Sequence, residues 1–140
     1  MARDRTTSPT KVTVSGLWKV FGPDGKPDAV EQFQGMTKDQ VQEETQSVLA
    51  LKDVSFDVRE GETFVVMGLS GSGKSTLVRC LIRLIEPTAG EIIVDDENVL
   101  DYDDNQLNEF RRTKTAMVFQ HFGLLPHRTV LENAAWALEI

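Results

Sequence analysis

The chain has 140 residues and a formal net charge of −7 at pH 7. This length suits one domain with a hydrophobic core and is short for two. The acidic balance argues against broad nucleic-acid binding, because phosphate backbones attract basic surfaces. The single cysteine, Cys80, excludes an internal disulfide. No apolar run reaches the roughly 18 residues that a membrane-spanning helix needs, and residues 1–9 lack the apolar stretch of a secretory signal.

The first part of the chain predicts a leader, a strand and a loop. We expect residues 1–10 to form a disordered leader and residues 11–21 to form a strand that ends in an aromatic-rich turn. Residues 22–28 are dense in glycine, proline and aspartate, which indicates a loop. The domain proper is therefore expected to begin at about residue 11.

A helical insertion is predicted at about 28–48. Thr37 and Gln40 have the spacing of a capping box, in which each side chain bonds the backbone of the other residue. Met36 and Val41 have the spacing of a hydrophobic staple around the same helix start. We therefore expect an acidic, amphipathic helix over about 38–47.

Two strands are predicted before the most informative motif. Residues 51–58 alternate between apolar and polar side chains, as in a half-buried strand. Residues 63–67 read Thr-Phe-Val-Val-Met, a short apolar run expected for a strand buried on both faces of a parallel sheet. The second strand leads directly into a glycine-rich loop.

Residues 68–75 read Gly-Leu-Ser-Gly-Ser-Gly-Lys-Ser, the phosphate-binding pattern G-x-x-x-x-G-K-[ST] between a strand and a helix. Gly71 and Gly73 allow the backbone to curl so that its N–H groups point inward, next to the positive end of the helix. Lys74 is then placed for the β- and γ-phosphates of a nucleoside triphosphate, and the Ser75 hydroxyl for Mg²⁺. The competing interpretation is a Gly/Ser-rich turn that binds nothing. The predicted nucleotide-binding residues of this loop are Gly68, Ser70, Gly71, Ser72, Gly73, Lys74, Ser75 and Thr76.

The second half of the chain continues the alternation of helices and strands. Apolar residues at helical spacing predict a helix over 75–85, with no helix breaker before Pro87. A strand over 91–94, a tight turn and a charged helix over about 105–112 follow. Residues 115–119 predict another buried strand, which ends at Gln120.

The last predicted helix begins after a second capping box, formed by Thr129 and Glu132. The capping box accounts for a glutamate at position 132, so we do not interpret Glu132 as a catalytic base. We expect His121 and His127 to be surface or interface residues, because neither has a partner ligand at a spacing suited to a metal. Two further polar groups of residues are expected to be solvated: the arginines Arg111 and Arg112, and the carboxylates Asp95, Asp96, Glu97, Asp101, Asp103 and Asp104.

Taken together, these motifs resemble the ATP-binding subunits of ABC transporters over residues 11–140. The resemblance is carried by the phosphate loop, by Glu-Pro-Thr-Ala-Gly-Glu-Ile at 86–92, by Met-Val-Phe-Gln at 117–120 and by Leu-Pro-His-Arg-Thr-Val-Leu-Glu-Asn at 125–133. Within the family, the chain is most similar to subunits that energise uptake of glycine betaine, proline and related quaternary amines. Amino-acid and opine importers share much of the pattern.

The resemblance implies an α/β fold, the P-loop NTPase core of an ABC nucleotide-binding domain with an antiparallel β edge. It implies ATP and Mg²⁺ as cofactors, with Phe21 stacking on adenine and Gln120 reaching Mg²⁺ and the attacking water. Trp18 is the rival for the stacking role. Residues Phe122–Asn133 would receive the transmembrane permease. A second ATP-binding subunit would complete a homodimer, fed indirectly by a substrate-binding protein, at the cytoplasmic face of the membrane.

Several family motifs do not occur in the 140 residues: the Leu-Ser-Gly-Gly-type signature, the strand ending in Asp-Glu and the switch histidine. We therefore expect this stretch of an ABC-type ATPase to bind ATP with little turnover. We also expect bare, apolar strand edges near 64–67, because the strand ending in Asp-Glu, which would pair there in this family, does not occur in these residues. Two other functions stay open: a stand-alone ATP-binding regulatory module and an ABC ATPase for another solute, such as amino acids. A small metabolite kinase would leave Gln120 and residues 125–133 without a purpose.

Overall fold

A computed structural model describes residues 8–119 and 123–136 of the chain. The described residues form strands and helices, with 3₁₀ turns at Pro27–Ala29 and Val99–Asp101. The strands are β1 (Thr10–Phe21), β2 (Val48–Arg59), β3 (Ala89–Val94) and β4 (Glu97–Asn98). The helices are α1 (Val30–Phe33), α2 (Lys38–Thr45), α3 (Lys74–Leu81), α4 (Asp104–Thr113) and α5 (Val130–Ala135). No helix in these described ranges is long and apolar enough to cross a bilayer.

The strands form one four-stranded sheet in the order β2-β1-β3-β4. Each neighbouring pair is antiparallel, with β1 at the centre between β2 and β3. The glycine at position 16 marks a register shift in β1, where the strand bulges past both of its neighbours. This sheet is the antiparallel part of the predicted α/β fold.

The prediction of buried strands at 63–67 and 115–119 is wrong for the structure described here. Neither segment is assigned as a strand, and their apolar side chains face solvent: Met67 is 86% exposed and Val118 97%. The reason is that a β-strand is stabilised by ladder partners, and none of the described strands pairs with either segment. Phe64 alone finds an aromatic partner, since its ring stacks on Phe56 with the centroids 4.7 Å apart. Residues 64–67 are exposed, but they form no strand, so the bare strand edge predicted there is not observed.

The buried residues form two clusters on the sheet. The larger joins β1, β2 and β3 to α3 and α4, with residues such as Leu17, Leu77 and Phe110 at its centre. The smaller joins β1 and β2 to the helical insertion through Trp18, Val20, Val30, Phe33, Val41 and Leu49. Burying one large aliphatic or aromatic side chain contributes about 1.5–3 kcal/mol. The insertion is therefore packed firmly against the sheet.

The capping box predicted at the start of α2 is confirmed. Thr37 Oγ1 accepts a hydrogen bond from Gln40 N–H at 3.3 Å, and Gln40 Oε1 accepts from Thr37 N–H at 2.8 Å. Met36 and Val41 pack in the same hydrophobic cluster, as expected for the staple. The helix ends slightly earlier than predicted, because Gln46 adopts a left-handed conformation with φ 57°.

Helix α3 is shorter than the predicted span of 75–85, since it ends at Leu81. Leu84 N–H bonds Arg79 O at 2.9 Å and Arg83 N–H bonds Cys80 O at 2.9 Å, the two bonds of a Schellman motif. Arg83 takes the left-handed position usually given to glycine, with φ 50°. Its guanidinium donates to Val99 O and Tyr102 O at 3.0 and 2.9 Å, which holds this conformation.

The expectation that Arg111 lies on a solvated helix face is wrong. The Arg111 side chain is half-buried and donates to Ile82 O at 3.0 Å and to Arg83 O. These carbonyls follow the end of α3, where a cation is favoured by the helix dipole. Arg112, by contrast, is exposed and pairs with Glu109 at 2.6 Å.

The acidic run lies between the end of β3 and the start of α4, and its carboxylates are exposed as expected except for Asp95, which is half-buried. Asp95 and Asp96 form the turn with φ of 53° and 66°. The Asp95 carboxylate accepts hydrogen bonds from Lys11 and from Lys114, the latter at 2.9 Å, and they lower the Asp95 pKa. A carboxyl with a lowered pKa stabilises the fold above its ordinary pKa, and this contribution is lost as the pH falls through the folded-state value.

Candidate nucleotide-binding site

A cavity of about 450 Å³ lies between the phosphate loop, β2, the end of β1 and helix α2. Its lining brings together residues that are far apart in sequence. They are Phe21, Lys38, Asp39, Gln42, Val48, Leu49, Ala50 and the stretch from Gly71 to Thr76. The cavity therefore joins Phe21 to most of the predicted phosphate-binding residues, while Gly68 and Ser70 lie in the loop outside its lining.

Glycine is required at position 73 for two separate reasons. Its φ of +98° lies in the left-handed region, and a Cβ atom there would come within 2.5 Å of Ala50 O. Gly71 also has positive φ, at +76°, but a Cβ there would meet nothing within 4 Å. The loop is thus pressed against β2 at Gly73 and open at Gly71.

The N-terminus of α3 points into the same cavity. Leu77 N–H makes a backbone hydrogen bond to Gly73 O at 2.8 Å. The N–H groups of Lys74, Ser75 and Thr76 lie in the first turn of the helix. Amides of the first turn have no carbonyl acceptor within the helix. Ser75 is exposed and lines the cavity. These groups suit the oxygen atoms of a polyphosphate.

Lys74 is folded back on its own loop. Its Nζ donates to Gly68 O at 2.8 Å, to Leu69 O at 2.6 Å and to Ser72 Oγ at 3.2 Å. Three oxygen acceptors hold the ammonium at the mouth of the loop. Phosphate oxygens of a nucleotide could replace these loop oxygens as the acceptors of the Lys74 ammonium.

The two candidate aromatic residues occupy different environments. Phe21 is 39% exposed and lines the cavity, and Lys19 Nζ lies 4.8 Å from its ring centroid. Trp18 is only 5% exposed and packs between the sheet and the insertion. Of the two, only Phe21 borders the cavity.

Sequence reasoning missed the contribution of α2 to this cavity. Lys38, Asp39 and Gln42 line it, although the insertion was interpreted only as an amphipathic helix. The available signal was the capping box with its staple, since the buried Val41 fixes which face of α2 turns toward the sheet. The distance to the phosphate loop depends on tertiary packing and has no local signature.

Two other groups that could react, Cys80 and His127, do not line this cavity. Burial raises the pKa of the Cys80 thiol to about 11, so the thiol stays neutral. His127 is exposed. Within residues 8–119 and 123–136, no group of three or more histidine, cysteine, aspartate or glutamate side chains could hold a metal ion.

The segment predicted to receive a permease is described only from Gly123 onward. Gln120, His121 and Phe122 lie outside the described residues. In the rest, Leu124 is 63% exposed and Leu131 78%. The Thr129–Glu132 capping box is confirmed, and hydrogen bonds from Thr129 lower the pKa of Glu132.

Asn133 holds the loop before α5 in shape. Its Oδ1 accepts from Leu125 N–H at 2.8 Å, and its Nδ2 donates to the carbonyl oxygens of Leu125, Arg128 and Thr129 at 3.2, 3.1 and 2.9 Å. The Arg128 guanidinium also lies 4.2 Å from the Trp136 ring centroid. One side chain thus closes the turn between the exposed Leu124 and helix α5, which carries the exposed Leu131.

We expect Asn133→Ala to open this turn. Leu125 N–H loses its acceptor, so its hydrogen exchange should become at least about tenfold faster, which corresponds to one lost hydrogen bond. The measurement is amide exchange followed by NMR or mass spectrometry. Asn108→Ala, at an exposed position of α4, is the control; equal acceleration by both variants would contradict the assignment.

Comparison with known proteins shows the family of the chain. The sequence profile of the ABC transporter family matches residues 51–139. The chain belongs to the ABC transporter family. Within ABC proteins, the chain is 48% identical over 130 residues to the glycine betaine/proline betaine transport system ATP-binding protein ProV of Escherichia coli. It is 48% identical over 132 residues to the glycine betaine transport ATP-binding protein OpuAA of Bacillus subtilis.

These ABC relatives are much longer than the chain. The alignments cover 93% and 94% of this chain but 32% of either relative, so the chain spans about a third of their length. A solved ABC structure is also similar: the dimeric ATP-binding cassette MJ0796 in a post-hydrolysis state bound to ADP and Pi. It superposes with a TM-score of 0.71 at 34% identity, covering 91% of this chain and 47% of that one. The predicted fold class, an ABC nucleotide-binding domain, is confirmed.

Proposed function

We propose that the protein is the ATP-binding subunit of an ABC importer, and that the described cavity binds Mg-ATP. The observation that carries the proposal is the meeting of Phe21, the phosphate loop and the first turn of α3 around one cavity. An aromatic face, inward amides and the Lys74 ammonium match the three parts of ATP: a base, a polyphosphate and its negative charge.

Each residue has a defined role in this proposal. Lys74 exchanges its loop carbonyls for phosphate oxygens, Ser75 offers its hydroxyl to Mg²⁺, and Phe21 stacks on the base. ATP supplies the phosphoryl group whose transfer to water drives transport, and Mg²⁺ neutralises phosphate charge. Gln120 remains our candidate for orienting the metal and the water. On their own, the 140 residues are expected to bind ATP with little turnover.

The proposed assembly follows from the family and from the relatives. We infer a homodimer of ATP-binding subunits, peripheral to the inner face of the membrane through two permease subunits. The surface at about 122–133 would dock the permease, supported by the exposure of Leu124 and Leu131 beside the turn closed by Asn133. A substrate-binding protein would deliver the solute, which we propose to be glycine betaine, proline betaine or a similar osmoprotectant.

The test is the affinity of the full-length protein for Mg-ATP, measured by equilibrium titration, with and without Lys74→Ala. Charged hydrogen bonds contribute about 1.5–3 kcal/mol each, so we expect binding to weaken by about a hundredfold or more. In cells, the same substitution should remove uptake of labelled glycine betaine. Arg79→Ala, at an exposed position one turn along α3, is the control. ATP affinity that survives Lys74→Ala would refute the proposal.

A further inference from the structure

The cavity has a second polar wall, formed by the helical insertion. This wall is far from the phosphate loop in the sequence but lines the same cavity. Lys38, Asp39 and Gln42 line it from α2. Asp39 and Gln42 are three residues apart, so they lie next to each other on one face of the helix. The residues that β2 gives to the same cavity are Val48, Leu49 and Ala50, whose side chains offer no hydrogen bonds.

Helix α2 is held in a fixed orientation. The capping box closes its first turn, Val41 is fully buried against the sheet, and Lys52 Nζ donates to Met36 O at 2.8 Å just before the helix. Rotation of the helix about its axis would expose Val41. The polar face is therefore presented to the cavity by the same packing that anchors the insertion.

Neither of the other cavity elements distinguishes one nucleoside from another. A phosphate loop bonds oxygens that every nucleoside triphosphate carries, and stacking on an aromatic ring tolerates any base. Recognition of the nucleoside then requires hydrogen bonds. A carboxylate only accepts them, while a glutamine amide both accepts and donates.

We propose that α2 is the nucleoside-recognition wall, and that Asp39 and Gln42 accept hydrogen bonds from the donors of adenosine. Those donors are the 6-amino group of adenine and the ribose hydroxyls. The inference rests on the proposed function, because it assumes that the cavity holds ATP. It assigns specificity to an insertion that contributes nothing to the phosphate loop.

The experiment compares Gln42→Ala and Asp39→Ala with the wild type in the full-length protein. Affinities are measured by equilibrium titration for Mg-ATP, Mg-ITP, Mg-2′-deoxy-ATP and magnesium tripolyphosphate. We expect each variant to bind ATP about tenfold more weakly, the effect of one lost hydrogen bond to a polar ligand group. Tripolyphosphate affinity should not change. If a variant binds ATP more weakly than the wild type but binds ITP equally well, its side chain bonds the 6-amino group. If the variant and the wild type instead bind 2′-deoxy-ATP equally well, the side chain bonds the ribose 2′-hydroxyl.

Two matched variants serve as controls. Gln32→Ala and Glu43→Ala change exposed residues of α1 and α2 outside the cavity lining and should leave all affinities unchanged. The inference is overturned if neither α2 variant weakens ATP binding, or if tripolyphosphate affinity falls by the same factor. A wild-type protein that binds neither ATP nor tripolyphosphate would overturn the proposed function, and this inference with it.

Discussion

Gly73→Ala should remove measurable binding of Mg-ATP. The added Cβ would lie 2.5 Å from Ala50 O, a backbone atom of β2 that cannot turn aside, and it would also sit at φ +98°. The loop must then leave β2, which separates the phosphate-binding amides from Phe21. Backbone strain of this kind costs about 1–3 kcal/mol before the clash is counted. The measurement is an equilibrium titration with Mg-ATP, accompanied by a thermal melt to show that the protein is folded.

Gly71→Ala is the matched control for this experiment. It also places a side chain at positive φ, +76°, but in open space. Its expected cost is the left-handed backbone alone, roughly 1–2 kcal/mol, so ATP binding should weaken and remain measurable. If the two alanine variants bound ATP equally well, the close approach of the loop to β2 would have no role in the site.

Gly90→Ala should have the largest effect on stability. Its Cβ would collide with Gly16 O and lie 2.6 Å from Leu17 Cα, both on the central strand β1, at φ +104°. The β1–β3 pair cannot separate without opening the main hydrophobic cluster, which contains Leu17 and Ile92. We expect a loss of more than about 4 kcal/mol in the free energy of unfolding, a large part of the 5–15 kcal/mol typical of a domain.

Urea denaturation of the full-length protein measures this loss. Gly61→Ala is the control, because Gly61 has φ +73° and a Cβ there would meet nothing within 4 Å. Its cost should be about 1–2 kcal/mol, from the backbone conformation alone. An unfolding midpoint for Gly90→Ala that equals the Gly61→Ala midpoint would contradict the packing of β3 on β1.

The features predicted well from the sequence are those that depend on neighbouring residues. The capping boxes at Thr37 and Thr129 form as expected, because a side chain three residues away is always within reach of the backbone amide. The glycine pattern at 71–73 likewise encodes a local conformation, seen in the positive φ of Gly71 and Gly73. No partner from elsewhere in the chain is needed for either.

The features predicted wrongly depend on distant partners. Arg83 lies inside the predicted helix, but the observed helix ends before it, because its guanidinium donates to the carbonyls of residues 99 and 102. Arg111 is expected to face solvent and instead donates to a carbonyl just beyond α3. Both outcomes require a contact whose position is known only after the chain has packed.

The sequence by itself determined that this protein has a phosphate-binding loop followed by a helix, because eight consecutive residues specify the curl, the cation and the hydroxyl. Tertiary structure alone decided what stands opposite that loop. Phe21 and Gln42 reach the cavity because the sheet and the insertion cluster pack together. The residues at 64–67 remain exposed in spite of their apolar character. A strand forms only when a second segment pairs with it, whereas the conformation of a phosphate loop is specified by consecutive residues of one segment.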